Sequence, residues 1–102
     1  MTGPVGVVYL VHFAEAFKHA RHYTGFCEQQ KNLDQRMKYH RQGRGSKLLA
    51  AVSAAGIEFK VVRLWVGTRS DERALKNGAH SKRYCPVCNA RPYKRVALVE
   101  II

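Results

Sequence analysis

Val5-Gly6-Val7-Val8-Tyr9-Leu10-Val11-His12-Phe13 is the stretch on which the fold turns. Its β-branched and aromatic residues read as a strand. Tyr9 and His12 interrupt the apolar run, no basic leader precedes it, and it falls short of the roughly 20 residues needed to span a bilayer. Neither secretion nor membrane insertion is expected. A second short strand, His22 to Phe26, follows a polar connection through Lys18 and Arg21, and the two read as an antiparallel pair.

Downstream, Asn32 is placed to cap a helix running to about Gln42, and Ser46 to cap another that ends at Gly56. Gln42-Gly43-Arg44-Gly45 reads as the turn between them. Glu58 to Val66 is a third strand, expected to be central, with Phe59, Val61 and Trp65 on one parity and Val62, Leu64 and Val66 on the other. Thr68 and Asp71 form a capping box with Asp in place of Glu, opening a short helix that Gly78 can close. The tail from Arg95 to Ile102 can add a C-terminal edge strand. The expected architecture is a small α/β (α+β) domain, with a central three-stranded, mainly antiparallel sheet flanked by helices. One domain over residues 1–102 suits this length, its core at about 5–78 and a basic tail after it.

Eighteen Lys and Arg against seven Asp and Glu give a net charge of +11, spread along the chain rather than confined to a tail. A polyanion is the natural partner, because each cation placed on a phosphate releases condensed counterions. Three cysteines do not complete a disulfide framework and point to a reducing, cytoplasmic compartment.

On a helix of 3.6 residues per turn, Leu33, Arg36, Met37 and His40 fall within an arc of about 100°. Arg36 and His40 therefore share the apolar face, while Asp34, Gln35, Lys38, Arg41 and Gln42 lie opposite. Inward ionisable groups must find partners or snorkel to water. Tyr9 in a strand, Tyr23 beside Gly25, and Glu72 in a first helical turn each have an ordinary structural reading when taken singly. Taken in order, Val7-Val8-Tyr9, Tyr23-Thr24-Gly25, Arg36 with His40, and Glu72 resemble the GIY-YIG nuclease family, in its small bacterial or phage-type form. The resemblance runs from about Val5 to Lys76, with the first glycine of the first motif replaced.

That resemblance implies a divalent-metal-dependent endonuclease hydrolysing phosphodiester bonds in DNA. Tyr9 or Tyr23 would help activate water, Arg36 would hold the phosphate, and His40 would assist proton transfer. Glu72 would hold one Mg²⁺ or Mn²⁺. Many members carry a later Asn, for which Asn77 and Asn89 are the candidates. Lys38, Arg41, Arg44, Lys47, Lys82 and Arg83 are the expected nucleic-acid contacts. Cleaving both strands of a duplex would call for two sites and hence a homodimer.

Cys85-Pro86-Val87-Cys88 has metal-ligand spacing, with His80 before it and Cys27 far upstream. A structural Zn²⁺ needs four ligands, and the sequence offers one pair with isolated candidates, so a free or occasionally oxidised pair is expected, with zinc and contacts to a partner chain as the alternatives. The competing functional reading is a non-catalytic basic nucleic-acid-binding module, with or without a zinc knuckle. A ribosome-associated structural protein is a third reading, resting on charge alone.

Overall fold

The computed structural model describes residues 5–77, 81–89 and 99–101. Strands β1 (Gly6–Phe17) and β2 (Ala20–Cys27) form an antiparallel hairpin in which Tyr9 faces Gly25, His12 faces His22 and Phe17 faces Ala20. Both strands are longer than the apolar pattern implied. β1 continues past its buried part through mostly exposed residues 14–17. The connection shrinks to Lys18 and His19, with Lys18 at φ 55 supplying the left-handed conformation that a two-residue hairpin loop demands.

Helix α1 (Leu33–Arg41) does not begin with an Asn32 cap. A 3₁₀ turn over Gln30–Asn32 winds the chain first, so Asn32 is already helical (φ −91°, ψ −2°) and its side chain caps nothing. An N-cap residue needs extended backbone to aim its side chain at the first free amides. Ser46 has that conformation, and its Oγ accepts from the Leu49 amide at 3.2 Å to open α2 (Lys47–Ala54). Gly56, at φ 76, follows the helix as expected.

β3 (Phe59–Gly67) pairs antiparallel with the other edge of β1, and β4 (Val99–Glu100) pairs with β3, giving the order β2-β1-β3-β4. The sheet is antiparallel and the class is α+β. β4 falls within the tail expected to add an edge strand, whose residues 95–98 and 102 lie outside the described residues. β3 is interior, but its parity is not the one expected. Leu10 pairs with Arg63 and Val11 with Val61, so Val62 is an extra residue, a β-bulge. Past the bulge the faces exchange: Phe59 and Val61 pack on the side of Leu64, while Val62 joins Trp65 on the other.

Helix α3 (Arg69–Asn77) opens with the capping box in place. The Thr68 amide donates to Asp71 Oδ2 at 2.8 Å, and the Asp71 amide donates to Thr68 Oγ1 at 3.2 Å. Gly78 lies outside the described residues. A short helix α4 (Ser81–Tyr84) leads into the CxxC turn.

Two apolar layers cover the sheet. On one face, Val7, Tyr9, Val11 and Phe13 of β1 meet Leu33 and Met37 of α1 and Leu49 and Val52 of α2. On the other, Val8 and Leu10 meet Phe26, Trp65 and Cys85, with Leu75 of α3 and Tyr84 of α4 against them. Arg63, 3% exposed, ties β3 to both tail elements: its guanidinium donates to both Glu100 carboxylate oxygens at 2.6 and 2.7 Å and to the Tyr84 carbonyl at 3.1 Å. Among the described residues, no helix is long and apolar enough to cross a membrane.

Gly25 is required by close approach. A Cβ there would lie 2.5 Å from the Tyr9 hydroxyl oxygen and press into the ring. Gly25→Ala is therefore expected to cost about 1–3 kcal/mol, the usual range for overpacking, and to move the Tyr9 ring. Urea denaturation of the variant checks this; unchanged stability would show that the ring has room to shift.

Candidate active site and a second ligand cluster

Tyr9 and His40 are the largest fully buried polar side chains in the α1/α2-facing layer, at 1% and 2% exposure. The helical spacing that put His40 beside Leu33 and Met37 places all three inward, and leaves Arg36 half-buried at the margin. Tyr9 Oη lies 3.1 Å from His40 Nε2, and His40 Nδ1 lies 3.3 Å from the Arg44 carbonyl. A carbonyl can only accept, so Nδ1 carries the proton. Nε2 of the neutral ring is then the acceptor, and the Tyr9 hydroxyl donates to it.

Tyr23 stands on the same face through the strand register. Its ring is 6.3 Å from that of Tyr9 and 5.7 Å from that of His40, the latter edge to face. Lys76 of α3 places its Nζ 5.0 Å from the Tyr23 centroid. Tyr23 and Lys76 also line an open cavity of about 390 Å³ with His22, Thr24, Ser46 and Leu48.

Electrostatics tie the remaining two candidates to this group. Burial raises the Tyr9 pKa above its ordinary value, and Tyr23 adds to the rise, while the positive charge of Arg36 opposes it and Cys27 and Glu72 push it further up. Burial lowers His40; the Arg44 carbonyl bond acts against that and the charge of Arg36 with it. Tyr9, Tyr23 and His40 are thus in contact around one buried hydroxyl, and the charges of Arg36 and Glu72 act on it from farther out. Glu72 is half-buried in the first turn of α3, and its carboxylate makes no hydrogen bond or ion pair among the described residues.

The basic candidates divide between surfaces. Lys38, Arg41, Arg44 and Lys47 are exposed on α1, the turn and the start of α2, where the Arg44 guanidinium sits 5.8 Å from the exposed Tyr39 ring. Arg83 is exposed on α4, which packs with the opposite layer, so it does not extend that patch. The side chains of Lys82 and Asn77 lie outside the described residues. Asn89 belongs to the CxxC turn, its amide donating to the Cys85 carbonyl at 3.1 Å.

A second cluster lies on the sheet face opposite Tyr9. His12, His22, Cys85 and Cys88 bring four ligand atoms within 4.8 Å of one another and can hold a metal ion. The sequence reading missed both histidines. The available signal was parity: His12 and His22 are inward on their strands and directly opposite once the hairpin register is set. Burial lowers the His12 pKa, with the charges of Arg21 and Lys60 adding to the effect. Cys27 is not part of this group, since it faces the other layer and its thiol donates to the Gln29 carbonyl. His80 lies outside the described residues.

Comparison with protein-family models, curated proteins and solved structures returns no match.

The lowered His40 pKa carries a linkage. The unfolded ring titrates near 6.5 and the folded ring below it, so the unfolded chain takes up the proton first as pH falls. Stability from this group is fully present above pH 6.5 and is lost as pH drops through the folded value. His40→Gln is expected to flatten the decline of stability below pH 6.5 in chemical denaturation. An unchanged slope would assign the titration elsewhere.

Proposed function

We propose that this chain is a metal-dependent endonuclease of the GIY-YIG kind, hydrolysing phosphodiester bonds in DNA. The observation that supports the reading is the contact of Tyr9 and Tyr23 on two strands with His40 on a helix, with the charges of Arg36 and Glu72 acting on the Tyr9 hydroxyl. Binding alone requires none of these five side chains.

Phosphodiester hydrolysis needs a base for the attacking water, positive charge at the non-bridging oxygens and help for the leaving oxygen. The Tyr9 hydroxyl already donates to a neutral His40, so its proton has an acceptor at 3.1 Å. The resulting tyrosinate can take the proton of a water, with Arg36 stabilising the negative charge. Burial opposes ionisation of Tyr9 but strengthens every charge placed beside it. Tyr23, half-buried and lining the open cavity, is the tyrosine that meets incoming substrate. Arg36 holds the phosphate, and Lys76, above the Tyr23 ring, adds a second cation.

Glu72 would hold Mg²⁺ or Mn²⁺, which when bound supplies charge stabilisation to the leaving oxygen. The donor set fits such an ion. One uncommitted, half-buried carboxylate suffices for a hard cation that keeps several waters and uses substrate phosphate. Lys38, Arg41, Arg44 and Lys47 would track the DNA backbone without reading its sequence. Two copies would be needed to cut both strands of a duplex, so a homodimer on DNA is part of the proposal.

Glu72→Gln and Arg36→Ala are each expected to lower kcat by at least about 10²–10³-fold, the size of effect seen when one transition-state stabiliser is removed, while leaving most of the DNA affinity. The assay is cleavage of labelled duplex and branched DNA with Mg²⁺, Mn²⁺ or chelator, alongside circular dichroism to verify folding. Wild-type chain that binds every substrate and cuts none would instead make this a nucleic-acid-binding module.

A further inference from the structure

The cluster opposite the proposed active site is drawn from three separated parts of the chain. His12 and His22 are cross-strand partners in β1 and β2, so their rings leave the same sheet face side by side. Cys85 and Cys88 arrive on the turn after α4 and close over that pair. His12 Nδ1 lies 3.4 Å from His22 Nε2, 3.3 Å from Cys85 Sγ and 3.6 Å from Cys88 Sγ, and Cys88 Sγ lies 3.4 Å from His22 Nε2.

One ring nitrogen has a single proton or a single lone pair in the ring plane. It cannot make three good hydrogen bonds at once, so the convergence on His12 Nδ1 needs another cause. Tetrahedral Zn²⁺, with Zn–N about 2.0–2.1 Å and Zn–S about 2.3 Å, sets ligand-to-ligand edges of roughly 3.4 Å for N–N and 3.6 Å for N–S. The four distances above match those edges to within about 0.3 Å. The remaining two pairs lie within 4.8 Å, so a closure of at most about 1 Å completes the figure.

We propose that His12 Nδ1, His22 Nε2, Cys85 Sγ and Cys88 Sγ ligate one Zn²⁺ in a closed structural site. Two thiolates and two imidazoles are soft and borderline donors that select zinc and reject Mg²⁺ and Ca²⁺. Four protein ligands leave no open position for substrate or activated water, which makes the site structural rather than catalytic. Its effect is to staple the tail to the hairpin: Cys85, fully buried against Val8, Leu10, Phe26 and Trp65, is held there by a bond to the strands as well as by packing. The site uses only the face away from Tyr9, and it stands whether or not the chain cuts DNA.

The test begins with the wild-type chain of residues 1–102, purified under reducing conditions without chelator, and its metal content measured by plasma mass spectrometry. One zinc per chain is expected. Cobalt titrated into chelator-treated, reduced chain should give the visible bands of a tetrahedral thiolate complex. Cys88→Ser should weaken zinc retention against a competing chelator by about 100-fold or more, since even loss of an outer-shell partner costs 10–100-fold. Cys27→Ser should retain wild-type affinity. His22→Cys, which keeps a ligand, should bind cobalt with an added thiolate-to-cobalt charge-transfer contribution, a readout that survives if Cys88→Ser fails to fold. Wild-type chain that carries no stoichiometric zinc and takes up no cobalt overturns the proposal, as does equal loss of metal in Cys27→Ser.

Discussion

β1 is covered on both faces, and both sites follow from that arrangement. Its odd residues enter the layer under α1 and α2, and its even residues enter the layer under Trp65 and the CxxC turn. A strand buried on both sides accepts a polar side chain only where a partner waits, because an unpaired buried polar group costs about 1–3 kcal/mol. Tyr9 and His12 are the polar side chains in the buried part of β1, and they point to opposite faces. Each has become the centre of a cluster assembled from distant residues. Tyr9 gathers Tyr23, His40 and the charges of Arg36 and Glu72, and His12 gathers His22, Cys85 and Cys88.

The hairpin register makes these two assemblies interdependent in position though separate in chemistry. Pairing Tyr9 with Gly25 leaves space for the phenol where any other residue would collide with it. The same register sets His12 against His22 three residues further along. A slip of one residue would turn every side chain of β2 to the other face, removing Tyr23 from the first cluster and His22 from the second together. Between His12 and the two-residue turn at Lys18 and His19 the pairing shifts, four residues of β1 (13–16) standing against Arg21 alone, so this irregularity together with the turn sets His12 against His22.

Much of the frame was legible because local chemistry and burial agree there. Ser46 caps, Thr68 and Asp71 form their box, and the Leu33–Met37–His40 stripe faces inward because each signal is contained within one turn of helix. What escaped was decided between elements. The bulge at Val62 leaves no local signature, yet it exchanges the faces of β3 and sends Trp65 to the layer opposite Phe59. Asn32 has good capping chemistry but is overruled by the 3₁₀ turn before it. Arg63 is buried in the middle of β3, and it is the return of the tail as β4 that brings the Glu100 carboxylate to it. His12 and His22 were unremarkable ten residues apart, and become adjacent only when the register is known.

The charge balance sharpens the distinction between structural and chemical roles. In a chain of net charge +11, seven carboxylates are scarce, and their duties can be traced. Glu15, Glu28, Asp34 and Glu58 are exposed; Asp71 is committed to the Thr68 cap and Glu100 to Arg63. Glu72 is left, half-buried beside the Tyr9 group and uncommitted among the described residues, in a helix turn whose free amides already favour an acid. Its negative charge adds to the effect of burial in making Tyr9 harder to ionise. A bound cation would reverse that sign, turning the same carboxylate from an obstacle to tyrosinate formation into the anchor of the charge that favours it. On the proposed function, this placement is why Glu72, and none of the other six carboxylates, is assigned the cation.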